Sequence, residues 1–92
     1  MIVRILSEGQ CEVPDALVDG LNALDDTVQE AVNAGNQVAF TQALAALLDE
    51  VRRVGGPVND EDIVTSDAIL PPADATVEEA RVLLQPDGLI PG

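Results

Sequence analysis

Residues 1–14, MIVRILSEGQCEVP, decide the fold class. The stretch from Ile2 to Leu6 is rich in aliphatic and β-branched side chains, as strands are. From Gln10 to Val13 polar and apolar side chains alternate, which is typical of a strand with one buried face. Gly9 tolerates the left-handed backbone of a tight hairpin loop. The sequence therefore predicts a β-hairpin over residues 1–13.

Residues 14–54 have the periodicity of two amphipathic helices. Apolar side chains recur at spacings of three and four, first in Leu17, Leu21, Leu24, Val28 and Ala31, then in Phe40, Leu44, Leu47, Val51 and Val54. We expect Pro14 at the first helical position and Gly35 at the end of the first helix, with Asn36 capping the second. Such a short connection predicts an antiparallel pair. Close contact between the two helices is expected at Ala39, Ala43 and Ala46.

The sequence pattern of the last third of the chain differs from that of the two predicted helices. Residues 57–72 are predicted to form an extended segment laid over the helices, with Ile63-Val64 as a candidate third strand. Thr76 and Glu79 have the spacing of a capping box and predict a C-terminal helix over residues 76–85. The chain is short enough for one domain, residues 1–92. We therefore predict an α+β fold, with the hairpin packed on an antiparallel helical hairpin and a short C-terminal helix.

The charge balance argues against several classes of partner. Seventeen acidic residues face four arginines, lysine and histidine are absent, and the formal net charge is −13. Such a charge repels phosphate backbones and anionic lipids, so nucleic-acid binding and direct membrane insertion are not expected. The chain has one aromatic residue, Phe40, and hence little capacity for stacking on bases or sugars.

The sequence contains few residues suited to catalysis or to metal binding. Without histidine, the usual acid–base and zinc-binding side chain is missing. The single Cys11 is expected to be a small buried apolar side chain. The run Asn59-Asp60-Glu61-Asp62 lacks the pattern of a calcium loop and is expected to be solvated. The acidic pairs Asp25-Asp26 and Glu78-Glu79 resemble the paired carboxylates of a glycosidase, but any acidic protein contains such pairs. We predict a protein that is not an enzyme, with no catalytic, cofactor-binding or metal-binding residues.

One acidic face stands out on the first predicted helix. Asp15, Asp19, Asp26 and Glu30 recur opposite the leucine positions, together with Asn22 and Asn33, and no Lys or Arg lies among them. Two interpretations stay open. The face is a solvated outer surface, or it is a docking stripe for a basic helix, since uncompensated charge of one sign steers association. These four acids are the candidate partner-binding residues.

Three segments of the chain resemble the PspA-associated protein family, PspAA. They are MIVRILSEGQCEV at the start, LNALDDTVQEAVNAGNQVAFTQALAALLDEVR in the middle and PPADATVEEARVLLQPDGLIPG at the end. The resemblance covers essentially the whole chain, although Cys11 stands where an aromatic such as tyrosine is expected. It implies a non-catalytic accessory or regulatory protein of the phage-shock envelope-stress response. Its partner would be phage-shock protein A, a helical coiled-coil protein that binds stressed inner membranes.

Localisation and the alternative function follow from composition. No signal-peptide pattern is present, and the uncharged stretch 31–48 contains too many polar residues to span a membrane. A cytoplasmic protein, recruited to the inner face of the membrane through its partner, is therefore expected. The alternative is a stand-alone acidic, salt-adapted structural domain without a dedicated PspA contact. The sequence leaves open the oligomeric state and whether PspA would be activated or inhibited.

Overall fold

The computed structural model describes residues 1–6, 8–58, 65–83 and 89. Its elements, in chain order, are β1 (Ile2–Ile5), β2 (Gly9–Glu12), α1 (Val18–Ala34), α2 (Gln37–Val54), β3 (Gly56–Pro57), β4 (Ala68–Leu70) and α3 (Val77–Leu83). A 3-10 turn at Asp15–Leu17 precedes α1. The predicted α+β class is confirmed, with its N-terminal hairpin, its two packed helices and its short C-terminal helix.

The described strands form a mixed sheet in the order β3-β2-β1-β4. Strand β1 is antiparallel to β2, with Ile2 opposite Glu12, and the turn between them has Gly9 at a φ of 116°. On its other edge β1 is parallel to β4, with Val3 opposite Ala68. The short β3 pairs with β2 at the far edge. The sheet thus joins the first residues of the chain to a segment near its C-terminal end.

Strand β4 lies in the stretch that the sequence marks only as an extended segment. The backbone of Ile2 and residue Asp67 hold it in place: Ile2 N–H donates to Asp67 Oδ2 at 2.8 Å, and Asp67 N–H donates to the Ile2 carbonyl at 2.7 Å. The candidate strand at Ile63-Val64 lies outside the described residues. A partner so distant in sequence leaves no local signal, which is why the pairing of β4 with β1 was not predicted.

A single core lies between the sheet and the helices. Its side chains are aliphatic apart from Phe40. Val3 and Ile5 of β1 and Leu70 of β4 face the apolar sides of α1 and α2. The largest fully buried residues are Phe40, Ile5, Leu21, Leu44, Leu47, Leu48, Leu70, Leu89, Val3, Val13 and Val28. Burying aliphatic side chains of this size contributes roughly 1.5–3 kcal/mol each.

The turn between α1 and α2 is the one that the sequence predicts. Gly35 has a φ of 65°, its N–H donates to the Val32 carbonyl at 3.0 Å, and the N–H of Asn36 donates to the Ala31 carbonyl at 3.1 Å. Asn36 then caps α2, since its Oδ1 accepts the Ala39 N–H at 3.1 Å. The two helix ends are therefore satisfied by adjacent residues, which fixes the antiparallel pair.

Three details of the predicted helices are wrong. Pro14 has an extended backbone (ψ 139°) and precedes the 3-10 turn, so it does not open a helix. Because that turn follows a different periodicity, Leu17 points outward and is 44% exposed. Ala46 is also exposed on α2, whereas Ala43 is buried and Ala39 is partly buried, so only these two lie near the core.

Helix α3 is capped at Thr76, as the sequence predicts, although the Glu79 side chain bonds the Thr76 hydroxyl rather than its backbone N–H. Glu79 N–H donates to Thr76 Oγ1 at 3.2 Å, and the Thr76 hydroxyl donates to Glu79 Oε1 at 3.2 Å. The helix is described from Val77 to Leu83, and the predicted continuation to Leu84-Gln85 lies outside the described residues. Val77 and Ala80 form its buried side.

Two side chains attach α3 to the turn between α1 and α2. The side-chain amide of Gln37 makes two hydrogen bonds to the backbone at the start of α3. Its Oε1 accepts the Val77 N–H at 2.9 Å, and its Nε2 donates to the Ala75 carbonyl at 3.3 Å. Arg81 donates from Nη2 to the Val32 carbonyl at 3.2 Å, near the end of α1. These contacts fix the position of α3 at one end of the helical pair.

The close approach of α2 to β2 yields a test of the fold. A Cβ at Gly55 would lie 2.7 Å from the Val51 carbonyl oxygen and 2.9 Å from Cys11 Cβ, although the backbone there (φ −81°, ψ 143°) suits any residue. We expect Gly55→Ala to lower the free energy of unfolding by about 1–3 kcal/mol through overpacking, as measured by urea denaturation.

The matched control for this substitution is Gly20→Ala in α1. No heavy atom lies within 4 Å of the added Cβ, so the change should stabilise the helix by about 0.5–1 kcal/mol. Equal effects of the two substitutions would contradict the assigned packing of Gly55 against β2.

Candidate functional site

The candidate partner-binding acids lie on the outside of α1 and in the turn before it. Asp19, Asp26 and Glu30 are exposed on the side of α1 opposite the buried Leu21 and Val28. We call Asp19, Asp26 and Glu30 the α1 stripe. Among the described residues, no arginine lies within 4.0 Å of any of the three carboxylates. The stripe is thus a row of exposed charges of one sign.

Asp15 is separate from the α1 stripe. It lies in the 3-10 turn, and its Oδ1 is 3.4 Å from the amino group of Met1, which also donates to the Val13 carbonyl at 2.9 Å. Its negative charge is therefore partly balanced within the chain. Three of the four candidate acids share one helix face, and the fourth faces the start of the chain.

The arginines are placed away from the α1 stripe. Arg52 donates from Nε to Glu8 Oε1 at 2.9 Å and lies 3.0 Å from Asp49. Similar ion pairs join Arg53 to Glu50, and Arg81 to Glu78. The fourth, Arg4, donates to Ser66 Oγ at 3.4 Å on the sheet. Positive charge is thus concentrated near the ends of α2 and α3, where it also favours the helix dipoles.

The pairs of Arg52 with Glu8 and of Arg53 with Glu50 shift the pKa values of their members. The hydrogen bond from Arg52 lowers the pKa of Glu8 below its ordinary value, and the one from Arg53 does the same to the pKa of Glu50. Reciprocally, the hydrogen bond to Glu8 raises the pKa of Arg52. The pair of Glu8 and Arg52 matters most for the fold because it ties the hairpin turn to α2.

Asp25 has a role that the sequence reasoning missed. It is 1% exposed, and its Oδ1 accepts the N–H of Leu89 at 3.2 Å, whereas its neighbour Asp26 is exposed. The signal was present, because Asp25 follows Leu21 by four residues and precedes Val28 by three, on the apolar side of the helix. Asp25 thus joins α1 to the C-terminal end of the chain.

Features that could hold a cofactor or a metal are few. Cys11 is partly buried and packs against the core, rather than being fully buried as predicted. Within the described ranges, no group of three or more Cys, Asp or Glu side chains is arranged to bind a metal ion. The acidic run at residues 59–62 lies outside those ranges. None of the helices described has the length and apolar character needed to cross a bilayer.

Comparison with known families identifies the chain. A family model described as PspA-Associated protein matches residues 1–92, which is the whole sequence. The chain belongs to the PspAA family. Searches of curated proteins and of solved structures gave no match. The resemblance read from the sequence is thereby confirmed, and the PspAA family name indicates an association with PspA.

The ion pair between Glu8 and Arg52 gives a pH-dependent prediction. Since the pKa of Glu8 is lowered in the folded state, the pair stabilises the fold above the ordinary value of 4.5 and is lost as pH falls through the lowered value. We expect Glu8→Gln to reduce the urea midpoint by roughly 0.2–0.5 M at neutral pH. The difference from the wild type should shrink as the pH falls through the lowered pKa of Glu8.

Glu50→Gln is the matched control, because the ion pair of Glu50 is with Arg53 inside α2 rather than with a hairpin residue. Hydrogen exchange at the amides of β1 and β2 should increase in Glu8→Gln and stay unchanged in Glu50→Gln. Equal exchange in both variants would show that the pair does not anchor the hairpin.

Proposed function

We propose that this protein is a non-catalytic accessory or regulatory protein of the phage-shock envelope-stress system. In this role it binds a PspA-like helical coiled-coil partner. The observation that carries the proposal is membership of the PspAA family over the whole chain. The α1 stripe supports it, because it offers exposed carboxylates on a rigid helix with no arginine paired to them among the described residues.

Electrostatics indicates what kind of surface the stripe would bind. Acids spaced four apart on one helix face, such as Asp26 and Glu30, repel one another by about 0.2–0.5 kcal/mol per pair. A helix rich in Lys and Arg would relieve that repulsion and be steered to the stripe from a distance. The partner's basic residues are the same groups that would attract anionic lipids. Binding would therefore compete with membrane engagement or, at a separate face, recruit this protein to the membrane.

Affinity for the PspA homologue of the same organism tests the proposal. The variant Asp19→Asn, Asp26→Asn, Glu30→Gln removes the charge of the α1 stripe while keeping side-chain shape. We expect its affinity to fall about tenfold at roughly 50 mM salt, and by much less at roughly 500 mM, since salt screens exposed charges. Isothermal titration calorimetry at both salt concentrations measures the effect.

A control variant of equal charge is available. Glu12→Gln, Asp49→Asn and Asp74→Asn remove three exposed acids outside the stripe, so the net charge changes equally. Its affinity should stay close to that of the wild type. Equal losses in the two triple variants would assign the effect to total charge and contradict the stripe. Absence of wild-type binding at both salt concentrations would contradict the proposed function.

The exposed acids of the α1 stripe also favour a second candidate, a stand-alone salt-adapted domain. In that case cations, rather than a partner, would screen the stripe. Molar KCl should then raise the free energy of unfolding strongly in the wild type and weakly in the stripe variant, with no binding to PspA. Urea denaturation at low and molar KCl, beside the affinity measurement, separates the two functions.

A further inference from the structure

An apolar groove opens where three separate segments meet. The end of β1, the segment after β4 and α3 enclose a volume of about 270 Å³, lined by Leu6, Pro71, Pro72, Glu79, Val82 and Leu83. Among the described residues that line the groove, Glu79 is the one with a charged side chain. The groove is distinct from the α1 stripe, because none of its lining residues belongs to α1.

The groove is a small apolar concavity that is open to solvent. Val82 is 84% exposed and Leu6 is 37% exposed. Exposed aliphatic residues are common on protein surfaces, but here they line one concavity into which apolar side chains of a partner could be buried. Its walls are firmly placed, since Gln37 and Arg81 fix α3 and the Leu6 N–H donates to the Leu70 carbonyl at 3.0 Å. The groove is therefore present before any partner arrives.

Size and charge together limit the occupant. Pockets for drug-sized ligands and cofactors are about 300–1,000 Å³, so this groove suits a few aliphatic side chains better than a whole small molecule. The carboxylate of Glu79 accepts a hydrogen bond from the Thr76 hydroxyl and stays exposed, whereas the neighbouring Glu78 is paired with Arg81. A net charge of −13 disfavours acidic occupants. Aliphatic anchors with adjacent positive charge are the features of a basic amphipathic helix.

We propose that this groove receives two aliphatic side chains from a basic amphipathic helix of the PspA-like partner, with a Lys or Arg of that helix paired to Glu79. The inference rests on the proposed function and adds an apolar anchor to it. The two surfaces differ in their response to salt. Contacts in the groove depend on buried apolar area and persist at high salt, whereas contacts at the α1 stripe weaken.

Substitutions in α3 test the groove without disturbing the fold. Val82→Gln removes an exposed apolar wall, and Val38→Gln is its control, a valine that is 69% exposed on α2 and does not line the groove. Val82→Gln should weaken binding of the PspA homologue roughly fivefold to tenfold at both low and high salt, and Val38→Gln should not. Glu79→Gln keeps a residue that can complete the capping box and removes the charge. It should weaken binding about twofold to fivefold at low salt only.

A second probe separates failure of the groove from failure of the proposed function. An 18-residue synthetic helix of Leu and Lys, with leucines at i and i+4, is titrated into the full chain while the methyl NMR signals of Leu6, Val82 and Leu83 are followed. Shifts at these methyls, weakened by Val82→Gln but not by Val38→Gln, support the groove even if the PspA homologue does not bind.

Three outcomes would overturn the inference. Val82→Gln could bind both probes as tightly as Val38→Gln, so that the groove does not contribute. Glu79→Gln could bind as the wild type does at low salt, which contradicts a cationic occupant. Sedimentation could show a dimer of this chain that Val82→Gln dissociates, which assigns the groove to a second copy. If the wild type bound the synthetic helix but not the PspA homologue, the proposed function would be wrong. The titration with the synthetic helix would then decide whether the groove binds a basic amphipathic helix.

Discussion

The position of β1 inside the sheet is the constraint on which the other elements depend. A two-stranded hairpin is marginally stable in water, and β1 with β2 alone would be one. Pairing with β4 on the other edge gives β1 a hydrogen-bonded neighbour on each side. Val3 and Ile5 are in addition buried under α1 and α2. The same pairing brings Pro71 and Pro72, and after them α3, beside the end of β1. The groove exists because of this register.

Charge is distributed unevenly over this framework. Basic residues occupy the last turns of α2 and α3, where they meet both nearby acids and the negative ends of the helix dipoles. Helix α1 carries several acids and no basic residue, and burial of Leu21 and Val28 offsets their repulsion. A cationic partner that bound only the folded chain would relieve this repulsion. Binding of such a partner would therefore be coupled to folding stability through α1.

Local chemistry was readable from the sequence, whereas distant contacts were not. Gly35, Asn36 and the cap at Thr76 act on groups within a few residues, and these three were predicted correctly. The outward turn of Leu17 was missed because a 3-10 turn changes the periodicity. The burial of Asp25 was missed although its spacing from Leu21 and Val28 indicated the apolar side of the helix, and only its hydrogen bond to Leu89 depends on a distant contact. Strand β4 and the groove combine segments far apart in the chain. The acids of the α1 stripe were found from their spacing, although the turn separates Asp15 from the other three.

The parallel register of β1 and β4 also orders the events of biosynthesis. Val3 leaves the ribosome long before Ala68, its partner strand residue. At about 5–20 residues per second the delay is roughly 3–13 s, during which the first strand has no neighbour on that edge. An unpaired aliphatic strand is a template for pairing between nascent chains. The carboxylates that follow it, beginning with Glu8 and Glu12, oppose such pairing because like charges on two chains repel one another.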